Sequence, residues 1–212
     1  MQIHSDTYMT LKPIVVGGSD TWSGTATWKI VLWNTTALTV SQSQSFTVTY
    51  TPPLQLIVNS SFSSGFEGWN RQGSDSWAGT NLSNYHTSPG YAALGVDSTG
   101  WAKDGADGAF YQTVSIPPGV GTASLSFWYS ITTHENTSTA YDNLYVTIRD
   151  SDGNFLAYVT ELSNVDKTTG YVQKTFDLTP YIGRTIRVRF GATSDASDTT
   201  TFRIDDVSIQ TN

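Results

Sequence analysis

Apolar and polar residues alternate in one short run after another along this chain, and no long stretch carries a helical period. A side-chain period of two gives a strand one apolar face and one polar face, so the pattern predicts an all-β protein. The runs Ala26-Thr27-Trp28-Lys29-Ile30-Val31-Leu32, Ser45-Phe46-Thr47-Val48-Thr49 and Ile186-Arg187-Val188-Arg189-Phe190 show it. Turn residues separate the runs. Pro117-Pro118-Gly119 reads as a turn, and Asp150-Ser151-Asp152-Gly153-Asn154 as a hairpin in which glycine supplies a positive φ. Strands are expected near residues 8–16, 25–33 and 43–50. Nine more are expected near residues 54–58, 91–96, 109–116, 123–130, 143–150, 154–161, 171–178, 185–192 and 201–209.

A length of 212 residues allows one large domain or two small ones. The tandem prolines of Thr51-Pro52-Pro53 leave a sheet and stiffen the chain, which divides it into segments 1–51 and 52–212. The first segment is short for a sandwich and looks like part of an immunoglobulin-like domain. Its unpaired edges raise the expectation of self-association. The second has enough short strands for a two-sheet sandwich. The aromatic content, 13%, supports a packed core rather than a disordered chain. A net charge of -7 argues against a nucleic-acid partner and against docking on anionic lipid. No run reaches the roughly 20 apolar residues of a membrane span. The absence of cysteine excludes a disulfide scaffold, thiol chemistry and a cysteine zinc site. The first residues lack the basic-then-apolar pattern of a signal peptide, so Met1 is expected to be an internal start within a longer secreted protein.

Two motifs bracket the second segment. Asn59-Ser60-Ser61-Phe62 with Gly65-Phe66-Glu67-Gly68-Trp69 opens it, and Phe202-Arg203-Ile204-Asp205-Asp206-Val207-Ser208-Ile209 closes it. Together they resemble the opening and closing motifs of galactose-binding-like jelly rolls, a group that includes carbohydrate-binding modules. The resemblance implies a jelly-roll β-sandwich of the kind found at the C-termini of secreted bacterial peptidases and glycosidases. It also implies a secreted or cell-surface location and an accessory, binding role. Such domains commonly hold a structural calcium where the two motifs meet, which points to Asn59, Glu67, Asp205 and Asp206. The usual glutamate after the opening Phe is Ser63 in this chain, with Glu67 as the substitute.

No catalytic residue is assigned. No Gly-x-Ser-x-Gly elbow occurs, and His86 lies in a turn-like stretch. His134-Glu135 with Tyr141-Asp142 suits a loop brace or an ion better than catalysis, since no second histidine accompanies it. Asp150–Asn154 starts like a calcium loop, but a plain hairpin is the better reading.

Sugar binding needs aromatic platforms beside polar groups. Trp101 in a polar loop, Trp128 on the outward face of its strand, and Trp77 are the candidates. Arg149, Arg187, Arg189 and Arg203 also project from strand faces. Arginines sharing one sheet would suit the carboxylates of an acidic polysaccharide, while cross-strand pairing with Asp or Glu is the structural alternative. The expected function is a non-catalytic module binding a polysaccharide or cell-surface glycan. The alternatives are an assembly unit of a surface protein or fibre, and a ligand-free stabilising domain of a secreted peptidase.

Overall fold

The structure, a computed structural model, describes residues 24–34, 39–50, 53–80 and 83–212. The chain divides into two compact units, Met1–Pro52 and Pro53–Asn212. In the first, β1 (Gly24–Asn34) and β2 (Thr39–Tyr50) pair antiparallel from Gly24↔Tyr50 to Asn34↔Thr39, with a register shift at Leu32/Trp33. The strand expected at residues 8–16 and the hinge residues Thr51 and Pro52 lie outside the described residues.

The second unit is a sandwich of two antiparallel sheets. Its strands are β3 (Leu54–Gln55), β4 (Asn70–Gln72), β5 (Ser76–Thr80), β6 (Gly90–Leu94), β7 (Asp107–Ser115), β8 (Ala123–Thr133), β9 (Asn143–Asp150), β10 (Phe155–Ser163), β11 (Val172–Asp177), β12 (Thr185–Thr193) and β13 (Thr200–Thr211). The five-stranded sheet runs β10-β9-β12-β7-β4. The six-stranded sheet runs β11-β8-β13-β6-β5, with β3 pairing the end of β13. Among the described residues no helix is long and apolar enough to cross a membrane.

The alternation read from sequence decides which side chains fill the space between the sheets. Ile186, Val188 and Phe190 of β12 are fully buried, as are Leu125 and Phe127 of β8. Phe110 and Phe190 stack at 5.2 Å, and Phe127 meets Phe190 edge-on at 5.2 Å. Trp69 of the opening motif joins this aromatic core, 5.1 Å from Phe62, and its indole N–H donates to the Asn59 carbonyl at 3.2 Å.

Three local features differ from the sequence reading. β4 and β5 were not expected, because Asn70-Arg71-Gln72 has no apolar face and Ser76-Trp77-Ala78-Gly79-Thr80 has no clean period. β3 is shorter than expected. Its ladder with β13 stops because the Gln55 side-chain oxygen takes the amides of Ile57 and Ile209 at 3.0 and 2.9 Å. Farther on, the buried Gln112 side chain takes both backbone groups of Val58, accepting from its N–H at 2.8 Å and donating to its carbonyl at 2.9 Å.

An ion pair between a buried aspartate and a half-exposed lysine ties the Gly95–Gly105 loop to the sheet. The Lys103 ammonium donates to both oxygens of Asp75 at 2.8 Å, and the Asp107 amide adds a third bond at 3.0 Å. The Lys103 bond first, then the Asp107 amide, hold the Asp75 carboxyl below its usual range. A depressed folded-state pKa stabilises the fold above the unfolded value of 3.8, and that stability is lost as pH falls through the folded value. Lys103→Met is therefore expected to destabilise the second unit by about 2 kcal/mol at neutral pH, because Asp75 is left buried without its cation. Urea titrations of both proteins at neutral pH and at about pH 3 check this. The gap should shrink at the lower pH, because the stability that the pair gives above 3.8 is lost progressively as pH falls toward the folded value of Asp75.

Candidate functional site

The outer face of the five-stranded sheet collects three arginines. Arg187 on β12 sits opposite Arg149 on β9 and Thr113 on β7, and Arg189 sits between Thr147 and Tyr111. Like charges directly across a sheet oppose folding. Among the described residues, no carboxylate lies within 4.0 Å of any of the three to relieve them.

Neutral contacts hold the guanidiniums instead. Arg187 donates to the Ser151 carbonyl and lies over the Tyr111 ring, 5.0 Å from its centroid. Arg149 donates to the Gly153 carbonyl at 2.9 Å, and Arg189 to the Gln72 amide oxygen at 3.0 Å. Burial and the neighbouring Arg149 charge push Arg189 below the usual guanidinium range. A guanidinium has five N–H donors, and these contacts engage few of them.

Aromatic rings continue the same face. Phe155 and Tyr158 on β10 stand opposite Arg149 and Thr147, 49% and 54% exposed, with their centroids 4.8 Å apart. Tyr145 lies 6.4 Å from Tyr158. The sequence reading missed Tyr111, Tyr145, Phe155 and Tyr158. The period that turned the arginines outward also turns out Tyr145, two positions from Thr147 and four from Arg149. The hairpin expected at Asp150–Asn154 is present. The Asp150 carboxylate accepts from the amides of Asp152 and Asn154 at 2.9 and 2.8 Å.

The tryptophans separate. Trp101 is 77% exposed, in a loop that Asp97 shapes by accepting the amides of Thr99 and Trp101 at 2.8 and 3.1 Å. Trp128 faces outward as expected, yet it is no open platform, because the His86 ring stacks on it at 3.9 Å and 15°. Trp77 packs against the small cluster of Tyr91, Ala93 and Val96, so it covers the sheet rather than offering a sugar-binding face. Arg203 is on the other sheet, over Tyr91 and bonded to Thr132, and does not join the arginine face.

The opening and closing motifs meet through the Val207 amide and the Ser60 carbonyl at 3.0 Å. The junction does not fit the calcium implied by the resemblance, because protein groups already take both oxygens of Asp205, one of Asp206 and the side-chain amide of Asn59. Asp205 is fully buried. One of its oxygens accepts the amides of His86 and Thr87 at 2.8 and 2.9 Å, and the other accepts the amide of Asp206 at 2.7 Å. Burial pushes its carboxyl up to about 6. Asp206 accepts from the Thr87 hydroxyl at 2.6 Å and pairs with His86 Nδ1 at 2.7 Å. The Asn59 amide donates to the carbonyls of Gly65 and Glu67 at 2.9 and 3.0 Å. What Glu67 contributes to these contacts is its backbone carbonyl. Among the described residues, the acidic oxygens that do gather belong to Glu135, Asp142 and Asp195, at another place in the fold. His134 turns to the Thr199 hydroxyl at 2.9 Å, and Tyr141 is exposed.

No family model matches the sequence, and no curated protein matches it. Solved structures do. A family 61 carbohydrate-binding module, TmCBM61 in complex with β-1,4-galactotriose, superposes with a TM-score of 0.53 at 17% identity, covering 75% of this chain and 99% of that one. The second unit is a jelly roll. The K1 and K3 cleaved adhesin domains of Lys-gingipain from Porphyromonas gingivalis share this jelly roll, each with a TM-score of 0.50. Their identities are 20% and 18%, over 76% and 74% of this chain and 98% of each domain. At these identities the similarity establishes the fold.

Proposed function

We propose that this chain is a non-catalytic carbohydrate-binding module that works outside the cell and lays an acidic polysaccharide across the outer face of its five-stranded sheet. One observation carries the reading: three guanidiniums share that face, have no carboxylate partner among the described residues, and stand beside tyrosine and phenylalanine rings. Guanidinium forks pair bidentately with carboxylates, and the rings offer apolar faces to sugar C–H groups. The shared fold supports the reading, since one structural neighbour is seen with a galactose oligomer and two others are adhesin domains.

The test is a calorimetric titration of the whole chain with a uronate polymer and with a neutral polymer of similar size. Saturable binding to the uronate polymer, weakening as salt rises, is the expected result. Trp101→Ala should leave that binding within about twofold, because the indole is a single exposed ring away from the arginines. Binding to the neutral polymer alone, lost in Trp101→Ala, would move the site to the loop rim. Silence with every uronate polymer at low salt would end the acidic-glycan reading.

A further inference from the structure

We infer that Glu135, Asp142 and Asp195 form a calcium site at one end of the sandwich. Glu135 and Asp142 lie at the two ends of the β8–β9 loop, and Asp195 follows β12 in the β12–β13 loop. Each loop crosses from one sheet to the other. An ion held by both loops therefore clamps the two crossovers together.

One oxygen from each residue lies within 4.8 Å of the others. That is the span two oxygens can have when both sit about 2.4 Å from a single calcium. Asp142 gives a second, independent sign of a missing partner. It is 0% exposed, and while its Oδ1 accepts the Asp195 amide at 2.9 Å, its Oδ2 is buried with no hydrogen-bond donor. The side chain is not free to swing toward one. Its residue is locked on both backbone groups by Asn164, whose side-chain oxygen takes the Asp142 amide and whose own amide donates to the Asp142 carbonyl, each at 3.1 Å. A buried carboxylate oxygen without a donor is costly to leave so.

Glu135 repeats the theme. It is 9% exposed, and the Thr133 hydroxyl fixes its backbone amide at 2.9 Å. Among the described residues the ion pairs are His86–Asp206 and Lys103–Asp75, so no lysine, arginine or histidine neutralises the three carboxylates. Burial, then the charges of Asp195, Asp198 and Asp142, push the Glu135 carboxyl above its usual range. A divalent cation removes all of these penalties together.

The donors are all oxygen, which selects a hard cation. Calcium accepts six to eight oxygens in flexible geometry, so carbonyls or water can complete an irregular carboxylate trio. Magnesium demands near-octahedral placement. The clamp reaches one step further. The Asp195 carbonyl accepts the Gly105 amide, and Ser194 exchanges hydrogen bonds with Ala106, so the loop carrying Trp101 hangs from the same end.

The experiment is thermal unfolding of the full chain with calcium, with magnesium and with chelator, together with calorimetric titration by calcium alone. Calcium at about 100-fold its Kd should raise the unfolding temperature of the second unit by roughly 5 °C, and magnesium at the same concentration should do much less. Glu135→Gln and Asp195→Asn should each lose the calcium response. In chelator, Glu135→Gln should unfold at or above the wild-type temperature, because it removes one of three repelling charges. That readout keeps the test open if Asp195→Asn fails to fold. No heat and no shift in the wild type at millimolar calcium would overturn the site, as would an unchanged calcium response in Glu135→Gln.

Discussion

Replacing Arg187 and Arg189 together with alanine is expected to weaken binding to a uronate polymer by about 100-fold or more, with little change in stability. Each charge-assisted hydrogen bond contributes on the order of 1.5–3 kcal/mol, and two guanidiniums lost together remove at least two such bonds. Folding should be nearly indifferent for a reason visible in the sheet. Arg187 stands directly opposite Arg149, so its removal relieves a repulsion while forfeiting the contact with Tyr111. The conservative change Arg187→Lys separates charge from shape. A lysine keeps the positive charge but not the fork, so it should recover only part of the affinity and most of the salt dependence. Titration of the double-alanine variant and of Arg187→Lys, beside urea unfolding of each, checks the pair of statements. Alanine variants that bind as the wild type does would show that the arginines serve the sheet and not a ligand.

Gly95→Ala is expected to be the most damaging small change in the second unit, at about 3 kcal/mol or more. Gly95 follows β6 with φ of +74°, a conformation that side chains resist, and a Cβ there would run into the Thr200 carbonyl at the start of β13. Both walls are backbone, so neither gives way cheaply. Gly119 is the internal control. Its φ is +87°, yet nothing lies within 4 Å of the position a Cβ would take. Gly119→Ala should therefore show only the conformational cost, about 1–2 kcal/mol. Urea midpoints of the two variants measure the difference, and equal midpoints would mean that the close approach at Gly95 is not what limits stability there.

Much of the fold was readable because a period of two is local. β8, β9 and β12 lie where the alternation put them, and Arg149, Arg187 and Arg189 point where the same count sent them. What the sequence hid is long-range. Nothing near Trp128 in sequence announces that His86 will cover it, because that stacking depends on Asp205 and Asp206 on β13 drawing in the backbone and side chains of His86 and Thr87. Asp195 carries no signal of its own either. It joins Glu135 and Asp142 only because two inter-sheet loops end side by side. Conversely, the opening and closing motifs were legible as motifs, but their resemblance to known jelly rolls could not say whether Asp205 would face an ion or an amide. The backbone of residues 86 and 87 decided that.

The place of β13 has a consequence for how the second unit is made. β13 lies between β8 and β6 in its sheet and also receives β3, so three strands drawn from the earlier chain wait for one partner. During synthesis β6 and β8 emerge long before residues 200–211 do, each with a bonding edge that only β13 can satisfy. Until then those edges can recruit neighbouring chains on the same polysome. Chain order thus makes this half of the sandwich a late-closing one, and β6 and β8 are the surfaces that a chaperone, or passage in an unfolded state, would have to keep apart.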